Sequence, residues 1–261
     1  MAKFRKGPEY IVSIKVSIKL FRMILLLLSG IILAPFFLRN GIHDSTIASR
    51  LFIWWNRAVC RIFKAEIITK GEMSTDSTLF VMNHISWFDI PVLASHQPLH
   101  FLSKAEVKSW ILIGWLSHKA GTLFIQRGAH GAAQKSLKEI THCLENRGSV
   151  VVFPEGTTTD GKSVRKFHGR LLQAAIDAKV KIQPVALRYP YKNGVNPLVP
   201  YIDDMTFMDS LIGLTRSHPL KAELHFLPPI NIHITDPENT TRQQLAQLAQ
   251  DTIANELDIF S

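Results

Sequence analysis

From residue 65 onward the chain reads as α/β: a mixed, mostly parallel sheet covered by helices, preceded by an N-terminal two-helix membrane-attachment module. Three observations predict this. Short apolar, β-branched runs alternate with segments of helical periodicity between residues 65 and 257, the pattern of a sheet whose crossovers are helices. One such run, Val150-Val-Val-Phe153, reads as a short buried strand that ends at Pro154, a residue unable to continue a central strand. Ahead of the alternation lie two apolar segments interleaved with cations, within residues 1–64.

A chain of 261 residues accommodates one large α/β domain with an appended segment, here divided as 1–64 and 65–261. The formal net charge of +9 points to an anionic partner, whether nucleic acid, a phospholipid surface or a phosphorylated substrate, and charge alone does not rank them. Two cysteines, Cys60 and Cys143, without a CxxC pair argue against a disulfide scaffold or a zinc site. They suit a reducing, cytosol-facing setting.

Residues 1–22 carry Lys3, Arg5, Lys6, Lys15, Lys19 and Arg22, and residues 23–38 then run without a charge. That run is shorter than the roughly 20 residues a spanning helix needs. Pro35-Phe-Phe-Leu-Arg39 is bulky where a signal-peptide cleavage site requires small residues, so a retained anchor is the expectation. Residues 46–63 form a second helical pattern, with Ile47, Leu51, Trp54, Ala58 and Ile62 on one side and Arg50, Arg57 and Arg61 on the other. This suits an interfacial helix, or else an ordinary amphipathic helix packed on the domain. Strands are expected at 65–69, 78–82, 99–102, 122–126, 149–153, 182–187 and 222–227, and helices at 104–119, 131–146, 164–179 and 240–257. The Pro-, Gly- and Asn-containing stretch 190–220 reads as an irregular excursion.

The chemistry-bearing residues fall where strands end. After the apolar strand 78–82 comes Asn83-His84-x4-Asp89. A histidine at this point can fold back onto the aspartate, which would fix its tautomer and stabilise the imidazolium formed on taking a proton. Asp89 alone also reads as a helix-start residue, since Ser86-x-x-Asp89 resembles a capping box. After the strand 150–153 comes Pro154-Glu155-Gly156-Thr157-Thr158-Thr159-Asp160-Gly161-Lys162-Ser163. Gly156-x4-Gly161-Lys162-Ser163 is formally a nucleotide-binding P-loop. Glu155 and Asp160, however, set two carboxylates where such a loop must cradle a polyanion.

Four blocks in order carry a more specific resemblance: Asn83-His84-x4-Asp89, Gly121-Thr-Leu-Phe-Ile-Gln-Arg127-Gly128, Phe153-Pro-Glu-Gly-Thr157 and Ile182-Gln-Pro-Val-Ala-Leu187. Over roughly residues 65–190 the chain resembles the 1-acylglycerol-3-phosphate O-acyltransferases, the lysophosphatidic acid acyltransferases of phospholipid synthesis. The resemblance implies direct transfer of a fatty acyl chain from acyl-CoA or acyl-carrier protein to the free hydroxyl of a lyso-lipid, foremost 1-acylglycerol-3-phosphate. It implies His84 and Asp89 as the catalytic pair. Asn83, Arg127, Glu155, Gly156, Thr157 and Thr158 would bind substrate, and neither cofactor nor metal is required. Absence of a Gly-x-Ser-x-Gly elbow agrees with a mechanism lacking an acyl-enzyme. Family members acting on lysophosphatidic acid often carry Arg where this chain has Thr158, so an acceptor without a phosphate monoester, such as lyso-ornithine lipid, is the alternative. The implied partners are the bilayer, the lyso-lipid and the acyl donor, not nucleic acid. The implied location is the cytosolic face of a bacterial inner membrane, reached through the N-terminal helices.

Overall fold

The computed structural model describes residues 14–40, 47–108, 110, 112–125, 131–192, 194–217, 220–231 and 241–258. It opens with two helices, α1 (Ile14–Asn40) and α2 (Ile47–Ile62). The domain then runs β1 (Ala65–Lys70), β2 (Thr78–Met82), α3 (Asp89–Ala94), β3 (His100–Lys104), α4 (Ala105–Lys108), α5 (Ile113–Lys119), β4 (Leu123–Ile125), α6 (Ala132–Glu145) and β5 (Val150–Val152). A 3-10 turn (Gly169–Leu172) leads into α7 (Gln173–Asp177), followed by β6 (Lys181–Arg188), the small hairpin β7 (Pro190–Tyr191) and β8 (Gly194–Val195), α8 (Phe207–Arg216), β9 (Leu220–Phe226) and α9 (Arg242–Asp258).

Seven strands form one sheet in the order β1-β9-β6-β2-β5-β3-β4. β6, β2, β5, β3 and β4 are parallel neighbours, β9 is antiparallel to β6, and β1 is parallel to β9. The expected mixed, mostly parallel sheet is therefore present. β2 and β5 are buried at every position, and alternate side chains feed two cores because successive residues of a strand point to opposite faces. Phe80, Met82 and Val151 pack with Phe52, Val59, Phe88 and Leu211 on the face covered by α1, α2, α3 and α8. Leu79, Val81, Val150 and Val152 pack with Ile140, Ala174, Leu245 and Ile253 beneath α6, α7 and α9. Pro184 is tolerated in the buried strand β6 because β9 pairs only from Val185 onward; at Pro184 the chain accepts Leu227 N–H on its carbonyl instead.

Several sequence expectations change. α1 extends N-terminally past the uncharged run because its cations are accommodated: Lys19 is buried and donates to Thr215 O, 2.6 Å away at the C-terminal end of α8, where carbonyls carry partial negative charge. Within α1, residues Val16–Ala34 are long and apolar enough to cross a membrane, with mean hydropathy 2.2. Only this one of the two N-terminal helices is apolar in that sense. α2 buries Ala48, Phe52, Val59, Cys60 and Ile62 against the domain and keeps its arginines outside. The 104–119 segment is two short helices, not one. Leu112 takes φ 69°, and α5 folds back so closely that a Cβ on Gly114 would lie 2.4 Å from Lys108 O. Of 164–179 only 169–177 is helical. The stretch 190–220, read as irregular, contains the β7–β8 hairpin and α8, the latter started by a full capping box between Thr206 and Asp209.

Candidate active site

β6, β2 and β5 are adjacent and parallel, so the segments leaving their carboxyl ends converge: Asn83–Asp89 after β2, residues 153–163 after β5, and Tyr189 after β6. His84 turns back so that Nδ1–H donates to Asp89 Oδ2 at 2.7 Å. The carboxylate can only accept, so Nδ1 carries the proton and Nε2 is the nitrogen left to act. The same Oδ2 accepts Ile85 N–H at 2.8 Å and Ser86 N–H at 3.0 Å, while Oδ1 accepts the Tyr189 hydroxyl at 2.8 Å. Asp89 is fully buried, whereas the His84 side chain keeps 19% of its surface exposed. The imidazole stacks on Phe153, with centroids 3.9 Å apart and planes 17° from parallel. The capping contact with Ser86 and the contact with His84 thus coexist on one carboxylate.

Glu155 is the second buried carboxylate. Its Oε1 accepts His84 N–H at 2.7 Å and its Oε2 accepts Arg165 N–H at 2.9 Å, so it ties the β2 loop to the β5 loop. Burial pushes its carboxyl above the ordinary range, an effect the two backbone donors partly oppose. Burial, with Asp89 alongside, likewise pushes the Tyr189 hydroxyl well above its usual value, so it remains a donor. Thr159 completes the brace by donating from its N–H to His84 O at 2.8 Å. Gly156 adopts φ +73°, a left-handed conformation that glycine takes without strain. A Cβ there would meet only His168, at 3.8 Å, so backbone conformation rather than lack of space calls for the glycine.

The expected residues do different things within this frame. Asn83 is buried, and its carboxamide bridges to β6, donating to Leu187 O at 2.9 Å and accepting Leu187 N–H at 2.8 Å. Thr158 Oγ1 donates to Tyr201 O, and Tyr201 N–H donates to Ile85 O at 2.9 Å, drawing the segment before α8 against the site. Thr157 is half-buried on the same loop. Arg127 lies outside the described residues. Lys162 is exposed, 3.5 Å from Asp160 Oδ2, and no helix follows Ser163, so the P-loop pattern lacks the helix N-terminus that would hold phosphates. Sequence reasoning missed Tyr189, Phe153 as a stacking surface and Thr159. The one available signal was position, since each leaves a buried strand at the end where sites form. Among the described residues no group of three or more His, Cys, Asp or Glu side chains is arranged to hold a metal ion.

Comparison with known proteins identifies the family. A family model described as acyltransferase matches residues 64–188. A lyso-ornithine lipid O-acyltransferase from Pseudomonas aeruginosa is 38% identical over 82% of this chain and 80% of its own length. One from Brucella abortus is 31% identical over 78% and 80%. A 1-acyl-sn-glycerol-3-phosphate acyltransferase from Neisseria gonorrhoeae is 27% identical over 70% and 72%. The crystal structure of PlsC, the 1-acyl-sn-glycerophosphate acyltransferase of Thermotoga maritima, superposes with a TM-score of 0.56 over 92% of this chain and 97% of that one; at 17% identity it speaks for the fold alone. With relatives this similar across most of its length, the chain belongs to the acyltransferase family that includes the 1-acyl-sn-glycerol-3-phosphate and lyso-ornithine lipid acyltransferases.

Proposed function

We propose that the protein moves a fatty acyl chain from a thioester donor, acyl-CoA or acyl-carrier protein, to the free hydroxyl of a lyso-lipid, with His84 as general base. The observation that carries this is the orientation of one ring: Nδ1 is committed to a fully buried carboxylate while the ring stays partly open to solvent. Nε2 takes the hydroxyl proton as the oxygen attacks the thioester carbonyl, and Asp89 stabilises the imidazolium. When the C–S bond breaks, the departing sulfur accepts that proton, giving an ester and a free thiol. A thiolate leaves readily, so no nucleophilic side chain is needed, and burial pushes both thiols, Cys60 and Cys143, up to about 12, far from a reactive thiolate. Asn83, Glu155 and Gly156 act as positioning residues for this base, Thr157 and Thr158 on the β5 loop bind the acceptor, and the Arg127 guanidinium supplies it with positive charge.

For the acceptor, lyso-ornithine lipid is the reading we favour over 1-acylglycerol-3-phosphate. An ornithine head group offers a carboxylate and an ammonium but no phosphate. Thr158 lacks the bidentate guanidinium that a phosphate monoester would reward, and its hydroxyl is already engaged by Tyr201. Thin-layer analysis of products from both acceptors with one labelled donor tests this. Thr158→Arg should raise the ratio of lysophosphatidic acid to lyso-ornithine lipid turnover; an unchanged ratio means that position 158 does not read the head group.

The donor is cytosolic, so the site faces the cytosol at the inner membrane. α1 is held along the domain at two points, Lys19 on α8 and Gly30 beside Leu116 of α5. A helix fastened to the domain over this length lies in the cytosolic leaflet instead of crossing. Its outward stripe of Ile14, Ile18, Phe21, Leu25, Leu28 and Ile32 suits that placement.

A further inference from the structure

An open groove runs between α1 and α2, lined by residues that the acyl-transfer reading does not use. It is a shallow trough of about 350 Å³, open along one side to the surroundings. Leu25, Leu26, Ala58 and Ile62 form its apolar wall. Its polar atoms are largely closed off: the Ser29 hydroxyl donates to Leu26 O at 2.7 Å, and Trp55 Nε1 donates to the same carbonyl at 3.1 Å. Arg22 and Arg61 also line it, both exposed, and neither has an ion-pair partner among the described residues. Helices joined by the short segment 41–46 run antiparallel, and Trp55 marks the level of Leu26. Arg22 lies about 6 Å before that level along α1, and Arg61 about 9 Å beyond it along α2, so the two residues lie towards the same end of the groove that both line. Lys19 and Lys64 lie within electrostatic reach of each other at this end too. Trp54, 47% exposed, also lines the groove.

We infer that this groove binds one anionic membrane phospholipid, its phosphate between Arg22 and Arg61 and an acyl chain along Leu25, Ala58 and Ile62. An apolar trough capped by two unpaired cations matches a molecule with a long hydrocarbon chain and a negative end; water would leave the walls unfavourably exposed. The site is separate from His84 and would orient the enzyme on anionic bilayers. It does not rest on the acyl-transfer reading, and either can fail alone.

The test uses the full chain, purified in detergent and delipidated, then titrated with phosphatidylglycerol or phosphatidylcholine and analysed by native mass spectrometry. Wild type should retain one phosphatidylglycerol per chain in preference to phosphatidylcholine. Arg22→Gln with Arg61→Gln should weaken that retention at least about tenfold. Ala58→Trp, which fills the trough with both arginines in place, should do the same. Arg50→Gln removes an exposed α2 cation that does not line the groove and should leave retention unchanged. Because Arg22 and Arg61 are exposed, their replacement tests the idea even if Ala58→Trp fails to fold. Three results overturn it: no lipid preference in wild type, an equal loss in Arg50→Gln, or displacement of the lipid by inorganic phosphate. The second would indicate diffuse surface charge, and the third a simple anion site.

Discussion

His84 and His225 both lie near a carboxylate through Nδ1, at 2.7 Å from Asp89 and 2.6 Å from Glu256. Distance therefore does not separate them, but their surroundings do. His84 stands beyond the last residue of β2, with 19% of its side chain exposed and one face against Phe153. His225 sits within β9, opposite Ala186 of β6, and its side chain is 4% exposed. The partners differ as sharply. Asp89 is a short side chain with no exposure, held by two backbone N–H groups and the Tyr189 hydroxyl. Glu256 is a longer side chain on α9, 25% exposed. A general base needs a fixed orientation and a reachable second nitrogen; His84 has both, while His225 fastens the last helix to the sheet.

The largest expected effect breaks the proposed general base. His84→Ala should lower turnover at least about 100-fold, with circular dichroism unchanged. Asp89→Asn should approach that loss, since the amide cannot accept from Nδ1–H, Ile85, Ser86 and Tyr189 as the carboxylate does. Near-normal turnover in a folded His84→Ala protein would remove His84 from the chemistry. His225→Asn, by contrast, should leave turnover close to wild type.

Tyr189 sharpens the same contrast on a smaller scale. Tyr189→Phe removes one charge-directed hydrogen bond, of a kind worth about 1.5–3 kcal/mol. Asp89 keeps three other donors, so the lower end applies, about tenfold in turnover. The pH dependence has a definite sign. The folded-state value of Tyr189 is raised, so its contribution to stability is complete below the unfolded tyrosine value of about 10 and is lost as pH rises towards the folded one. The stability difference between wild type and Tyr189→Phe should therefore shrink in alkaline urea titrations. A difference that grows above that pH would mean that the hydroxyl ionises more readily in the native protein than in the unfolded chain.

What was legible in the sequence follows the same line between local and distant causes. β2 and β5 were readable because a parallel strand buried on both faces is apolar at each position. His84, Asp89 and Glu155 were readable because they cluster at strand ends within short motifs. Tyr189 was not: it meets Asp89 from 100 positions away, and beyond its place after a buried strand no motif marks it. The helix expected from 164 starts only at 169: His168 N–H, which would bond to the carbonyl of Val164 in such a helix, instead donates to Pro154 O, while Arg165 and Phe167 N–H are tied to Glu155 and Gln250, holding the segment along the β5 loop. α8 was missed despite a visible Thr206-x-x-Asp209 cap, because the proline- and glycine-containing residues before it dominated the reading.

The smallest predicted effect concerns the buried pair. Glu256→Ala leaves the His225 ring without this carboxylate in a nearly closed environment, and an unmet buried donor costs about 1–3 kcal/mol. Glu256 is itself partly exposed, so water can follow the shortened side chain and the loss should lie near 1 kcal/mol. It should appear as a lower urea midpoint at unchanged slope, since the surface exposed on unfolding is the same. The turnover number at a temperature where the variant is folded should match wild type. A large fall in turnover with an unaltered midpoint would give the two histidine–carboxylate pairs equal claim to the chemistry, and access to Nε2 would no longer be what distinguishes them.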